Sequence, residues 1–329
     1  STSALHAARD ATDRASSVPA PLRGVVPPTV SVIVPGYNCA DVIAGAVESA
    51  LRQTLQPTEV IVVDDCSPDG DRLRAALTRW TGTGRVTLLR APRNGGPAAA
   101  RNLGIAASTG QFIALLDADD RYEPDHLESA VEALQEHPNA AMTCSDAFVE
   151  RGGERLPGRK NDHWQPIEPV ITFERLLESN CVSTLTVVLR RDAFDAHGPF
   201  DDDVRLVGVE DWDLWLRLAR HHEVRYVDRA LCRYAKSPGS MSADPRRLFN
   251  GEVAVFDKLG RVMEDFRRTH GDVTRRRMRE MRLNFAYNLC ASGDWRGGRR
   301  AASAAVVRHP FCPRSYRMLV KSLLQWHRA

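Results

Sequence analysis

The stretch VSVIVPGYNCADVIAGAVESALRQTLQPTEVIVVDD, Val30 to Asp65, decides the fold class. It opens on the β-branched run VSVIV (30–34), closes on the similar run EVIVV (59–63), and holds a helix-length segment between them. Two further runs of strand length follow, VTLLR (86–90) and FIALL (112–116), again with helix-length segments between. Strand and helix alternating at this spacing predict βαβ units and a parallel sheet with helices on both faces. Prolines mark where helices start: Pro97 opens PAAARNLGIAAS, and Pro124-Asp125 opens a segment ending near His137-Pro138.

At 329 residues, with 43% hydrophobic and 26% charged content, the chain can bury the core of one large α/β domain carrying an appendage. Its apolar runs are strand-sized, far below the roughly 18 residues of a membrane helix, and the start has no signal-peptide pattern. The seven cysteines are scattered, odd in number and form no CxxC pair, so they read as reduced thiols of a cytoplasmic protein.

The texture divides the chain into a leader (1–29), an α/β region (30–244) and a basic helical region (245–329). The α/β region splits into a nucleotide-binding half, about 30–125, and an acceptor half, about 126–244. In the second half TLTVVL (184–189) and VRYVD (224–228) read as strands, and a helix starts near Glu210. Farther on, CASGDWRGGRRAASAAVVRHPFC predicts a helical hairpin turning at Gly293-Asp294. The net charge of +3 is uneven: Lys258 to Ala329 holds 17 Lys+Arg against 5 Asp+Glu, a net of +12, which leaves −9 elsewhere. Such a tail is either a solvated face, a surface for an anionic membrane, or a homodimer contact; no nucleic-acid partner is expected.

In a parallel α/β sheet, ligands bind beyond the carboxyl ends of the strands. The four strands lead into Pro35-Gly36-Tyr37-Asn38, Asp64-Asp65-Cys66-Ser67-Pro68-Asp69-Gly70, Pro92-Arg93-Asn94-Gly95-Gly96-Pro97 and Asp117-Ala118-Asp119-Asp120. Together these put an aromatic ring, carboxylates, a glycine loop and an arginine on one rim, the composition of a nucleotide-diphosphate site with a metal. Tyr37 can stack on a base, and Asp65 can accept from a base imide or a ribose hydroxyl. Gly96 permits close backbone approach, Arg101 suits phosphate, and Asn38, Asp64 and Asn94 complete the rim. Asp117, Asp119 and Asp120 repel one another after an apolar strand. Either a hard cation, Mg²⁺ or Mn²⁺ on Asp117 and Asp119, or a solvated turn resolves this. Asp120 and Asp125 are expected in solvent.

VSVIVPGYN, VIVVDDCSPDG, PRNGGPAAARNLGI and ALLDADD, in this order, resemble the family 2 glycosyltransferases of the GT-A fold over about 30–242. The resemblance implies inverting transfer of a sugar from a nucleoside diphosphate, UDP or dTDP, to an acceptor hydroxyl. It matches Asp119 and Asp117 to the metal–diphosphate motif, Asp65 to the carboxylate on the base, and Pro35 with Tyr37 to the base pocket. Cys66 stands where the family commonly has Gly. Ser237, in CRYAKSPGSMS, stands where a His often joins the metal. No QxxRW-type motif and no membrane helix follows, which points to single additions rather than processive synthesis.

GVEDWDLWLRLA (208–219) predicts an amphipathic helix with Trp212, Trp215, Leu216 and Ala219 on one face and Glu210-Asp211 at its start. Acidic residues suit a helix start without any further role. Inverting transfer, however, needs an ionised carboxylate to take the acceptor's proton. The resemblance matches this pair to the family's acceptor-side motif, with Asp211 as base beside Glu210. Trp212 fits either an acceptor wall or the core. Two other classes compete: a nucleotidyltransferase, opposed by the lack of Lys or Arg before Arg52 after the first strand, and a catalytically inactive nucleotide-binding or scaffold protein using the basic helical tail.

Overall fold

The computed structural model describes residues 27–163, 166–236 and 244–324. Most of the expected leader, up to residue 26, and Ser237 lie outside the described residues.

Each apolar run named above forms a strand: β1 (Val30–Gly36), β2 (Glu59–Asp64), β3 (Val86–Arg90) and β4 (Phe112–Leu115). Helices α1 (Ile43–Leu51), α2 (Gly70–Thr81) and α3 (Gly96–Ala106) connect them, and the four strands pair in parallel with β1 between β2 and β4. The inner strands β1, β2 and β4 show no apolar–polar alternation because both faces are buried, whereas the edge strand β3 is partly exposed. Ile33, Ile61 and Ile113 join one buried cluster, whereas Val32, Val34, Val60 and Ala114 join the other. Pro35 sits past Ile33↔Leu115, the last β1–β4 pair, so its missing N–H falls where β1 has no β4 partner.

The chain beyond β4 continues the same sheet. It contains β5 (Arg121–Tyr122), α4 (His126–Glu136), β6 (Ala140–Arg151), β7 (Glu154–Arg159), β8 (Val170–Ile171), α5 (Phe173–Glu178), β9 (Val188–Arg190), α6 (Arg191–His197), α7 (Glu210–Ala219) and β10 (Glu223–Ala235). Among the described residues the sheet order is β3-β2-β1-β4-β9-β6-β10-β5, with β7 on β6 and β8 on β10. It is therefore mostly parallel in its nucleotide-binding half and mixed beyond β4, where β9 runs antiparallel to both neighbours.

One strand expectation is corrected. Of TLTVVL, Thr184–Thr186 forms a 3₁₀ turn and only Val188 and Leu189 are in β9. Hydroxyl chemistry explains it: Thr186 Oγ1 donates to Ser183 O at 2.7 Å, a local bond that competes with the ladder.

The basic region is helical: α8 (Pro245–Val262), α9 (Phe266–Thr269), α10 (Gly271–Ala291), α11 (Trp295–Arg308) and α12 (Pro313–Leu324). The predicted hairpin is α10–α11, with Gly293 at φ +89° and Asp294 capping α11 by accepting from Gly297 N at 2.8 Å. Yet the core does not stop at residue 245. Val255, Phe256, Leu259, Phe266 and Met281 share one buried cluster with Trp212 and Trp215. A separate small cluster, Leu283, Ala286, Cys290, Ala302, Ala305 and Met318, holds the end of α10 to α11 and α12.

Candidate active site

The carboxyl ends of β1, β2 and β4 and the start of α3 meet at one rim, because parallel strands bring all their following loops to the same edge. Asp65 is the clasp. Its N–H donates to Gly36 O at 2.8 Å, and its two oxygens accept from Gly95 N at 2.9 Å and Gly96 N at 2.8 Å. Gly96 has φ +80°, a backbone region that a residue with Cβ adopts only under strain. Asp64 is buried, accepting from Ser67 N at 2.8 Å and paired with Arg90. Asn38 and Cys66 lie in the left-handed region at φ +51° and +58°. That conformation explains why glycine would suit the Cys66 position. Tyr37 is 49% exposed and Asn94 is exposed, so a flat aromatic face is open to solvent above the clasp.

Gly104 decides where Arg101 goes. A Cβ there would stand 2.7 Å from Ile33 Cγ2 and 3.0 Å from Val63 Cγ2, so glycine lets α3 lie close against β1 and β2. Just under one turn earlier in α3, on the same face, Arg101 is only 3% exposed. Its guanidinium donates to Asp117 Oδ1 at 2.8 Å and to Glu210 Oε1 at 2.7 Å. The two carboxylates hold it in a charged state. Arg101 was expected to meet phosphate; instead it neutralises two carboxylates from opposite halves of the sheet.

The acidic loop after β4 divides its labour. Asp119 is half-buried, and burial together with Asp117 raises its carboxyl above the usual range. Among the described residues it has no partner besides its own amide. Asp120 corrects the expectation of a solvated side chain. It is 2% exposed and accepts from Ala235 N at 2.7 Å, tying the loop to β10. Burial, then Asp117 and Asp119, push it well above the ordinary aspartate range. Asp125, also expected in solvent, pairs with Arg229.

At the start of α7 the two acidic neighbours differ. Glu210 is buried, bound to Arg101 and accepting from Gly208 N at 2.6 Å, so both oxygens are occupied. Asp211 is half-buried and aimed by Thr184 Oγ1, which donates to its Oδ2 at 2.7 Å, and by Asn180 Nδ2 at 3.5 Å from Oδ1. Burial, then the charge of Glu210, push its carboxyl up to about 6. Trp212 is 1% exposed, donates to Leu176 O at 2.9 Å and meets Phe256 edge-on at 5.6 Å. Core packing has taken it, so it forms no acceptor wall.

Three side chains escaped the sequence reading: Thr184, Asn180 and Lys160. The Lys160 amine bonds Ser183 Oγ and lies 4.8 Å over the Tyr234 ring. Burial lowers its pKa, while the carboxylates of Asp120, Asp211, Asp146 and Asp117 favour its charge. Only the assignment of 126–244 to the acceptor side hinted at such residues.

Among the described residues no group of three or more His, Cys, Asp or Glu converges on a metal position. The donors available to a cation are thus Asp119, which lacks a counter-charge, and the partly exposed Asp117. Two hard carboxylates fit a divalent cation completed by diphosphate oxygens. A cleft of about 390 Å³, lined by Phe173, Arg220, His222 and His270 among others, opens at the far end of α7. That is about 12 Å along the helix from Asp211.

A mostly parallel sheet with an Asp65 clasp, an acidic loop after β4 and a carboxylate pair on α7 defines a GT-A-type glycosyltransferase. The chain belongs to glycosyl transferase family 2, whose description matches residues 31–198. It is 31% identical to the succinoglycan biosynthesis protein ExoU of Rhizobium meliloti, over 71% of each chain. It is 28% identical to the UDP-Glc:alpha-D-GlcNAc-diphosphoundecaprenol beta-1,3-glucosyltransferase WfgD of Escherichia coli, over 72% of this chain and 87% of that one. In fold it is similar to the mannosyltransferase PcManGT from Pyrobaculum calidifontis, solved in complex with GDP-Man and Mn²⁺. The TM-score is 0.61 at 21% identity, covering 92% of this chain and 81% of that one.

Proposed function

We propose that this enzyme transfers a sugar from a nucleoside-diphosphate donor, UDP- or dTDP-linked, to an acceptor hydroxyl with inversion, and that Asp211 is the general base. The observation carrying this reading is the Arg101 bridge. One guanidinium joins Asp117 of the donor-side loop to Glu210, next to Asp211, so donor-side and acceptor-side carboxylates are held in one rigid unit. The similar proteins support a nucleoside-diphosphate sugar as donor: WfgD is named for UDP-Glc, and PcManGT was solved with GDP-Man.

Tyr37 and Pro35 take the base, and Asp65 holds the Gly95-Gly96 loop against the ribose–phosphate side. Asp119 and Asp117 would hold Mg²⁺ or Mn²⁺, which supplies positive charge to the departing diphosphate. Asp211, aimed by Thr184 and Asn180, takes the proton of the attacking hydroxyl. Glu210 is the weaker candidate for that work because it is buried and ion-paired to Arg101, whereas the hydrogen bonds of Asp211 come from neutral donors.

A thermal-shift titration with UDP, dTDP, GDP and CDP, each with and without Mn²⁺, tests the donor half. A ligand at 100 times its Kd stabilises by about 2.7 kcal/mol. One nucleotide should raise Tm in a metal-dependent way, and Asp119→Asn should remove that rise. If none raises Tm at millimolar concentration, the inactive-scaffold alternative takes over.

The base half predicts a pH profile. Asp211 acts only when ionised, and its carboxyl is raised to about 6, by burial first and by Glu210 second. The kcat/KM should therefore fall about tenfold per pH unit below pH 6 and level off above it. The Thr184 hydrogen bond favours the ionised form, so Thr184→Val should move this acid limb to higher pH. A wild-type profile flat down to pH 5 would remove Asp211 from the role.

A further inference from the structure

Helix α12 is built inside out. Its inward positions are Ser315, Met318 and Ser322, all buried, whereas Tyr316, Val320, Leu323 and Leu324 are 46%, 51%, 46% and 63% exposed. The outward set recurs at i, i+4, i+7 and i+8, a continuous apolar stripe on one helix face. At the turn before α12, Phe311 is 97% exposed, and Val307 in the last turn of α11 is 78% exposed. Alongside stand the exposed cations Arg308, Arg317 and Lys321, which make no ion pair among the described residues. A monomer gains nothing by presenting six large side chains to water beside uncompensated charge.

The geometry points to α12 and the 309–312 turn as a docking face for an anionic lipid bilayer. An interfacial helix carries an apolar face for the acyl boundary with Lys and Arg beside it for the headgroups. Phe311, at a protruding corner, is the side chain that enters first. A second copy of this chain is a poor occupant. Two-fold pairing would set Arg308, Arg317 and Lys321 against themselves, and acidic partners are scarce. Of the five Asp and Glu between Lys258 and Ala329, Asp265, Asp272, Glu280 and Asp294 are already paired with Arg268, Arg275, Arg314 and Arg246. Anionic headgroups supply the missing counter-charge. A nucleic-acid backbone would supply it too, but has no use for the aliphatic stripe. This surface stands on its own observations and does not depend on the sugar-transfer reading.

Co-sedimentation with sucrose-loaded vesicles tests it, using the full chain and comparing phosphatidylcholine with phosphatidylcholine containing phosphatidylglycerol. Each basic residue near an anionic surface contributes about fivefold. The wild type should therefore partition about 100-fold more strongly to the anionic vesicles and be released by high salt. Arg308→Gln/Arg317→Gln/Lys321→Gln should lose that factor. Phe311→Ser/Val320→Ser should lose about tenfold while keeping the wild-type Tm. Binding that is unchanged in both variants, or equal on neutral vesicles, overturns the assignment. So does failure to bind vesicles, whether the protein instead binds a single-stranded oligonucleotide or forms a dimer that Phe311→Ser disperses in sedimentation velocity.

Discussion

Asp211→Asn is expected to lower kcat by about 10³-fold while leaving nucleotide affinity within about twofold, since a positioned general base contributes roughly 10²–10⁴-fold. The substitution keeps shape and an oxygen for the Thr184 hydroxyl, so the start of α7 should hold its geometry. What it removes is the one carboxylate of the pair that has no ion-pair partner among the described residues: Asp211 accepts only from neutral donors, Thr184, Asn180 and the Trp212 amide, whereas Glu210 is tied to Arg101 and the Gly208 amide. Steady-state kinetics with the donor found by thermal shift would decide the matter. A variant that keeps more than a tenth of wild-type kcat, with an unchanged pH profile, would assign the base elsewhere.

Arg101→Met should be the most destabilising change at the rim, at about 3–5 kcal/mol, because it strands charge that the fold has buried. Glu210 accounts for most of this, being 4% exposed; Asp117, with a third of its side chain exposed, keeps some of its hydration and costs less. Urea denaturation should show a lower midpoint at an unchanged slope. Arg101→Lys should recover only part of the loss, as one ammonium cannot fork to two carboxylates as a guanidinium does. A deficit below about 1 kcal/mol would mean that water reaches Glu210 freely, and the bridge would then have no structural weight.

Both predictions concern residues singled out on the sequence, but the reading of Arg101 changed. Arg101 was read as a phosphate ligand, from its place on a helix opened by a proline after a glycine loop. The helix is there, but the side chain turns inward because Gly104 brings α3 down on Ile33 and Val63. Trp212 was left between two roles, and the buried cluster shared with Phe256 of α8 chose the core. Asp120 was assigned to water as the third of three crowded carboxylates, and the amide of Ala235 claimed it instead.

By itself the sequence determined the strands β1 to β4, the helices after them, and the rim on which Tyr37, Asp65, Asp117 and Asp119 stand. These follow from local signals: β-branched runs, proline at helix starts, glycine and aspartate at turns, and the rule that parallel strands gather their loops at one edge. The tertiary structure alone decided which carboxylate is free and which is tied. Glu210 meets an arginine 109 positions away, Asp211 a threonine 27 positions away, and Asp120 an amide 115 positions away. A buried charge takes whichever counter-group packing brings within hydrogen-bond reach, and no local pattern encodes that distance.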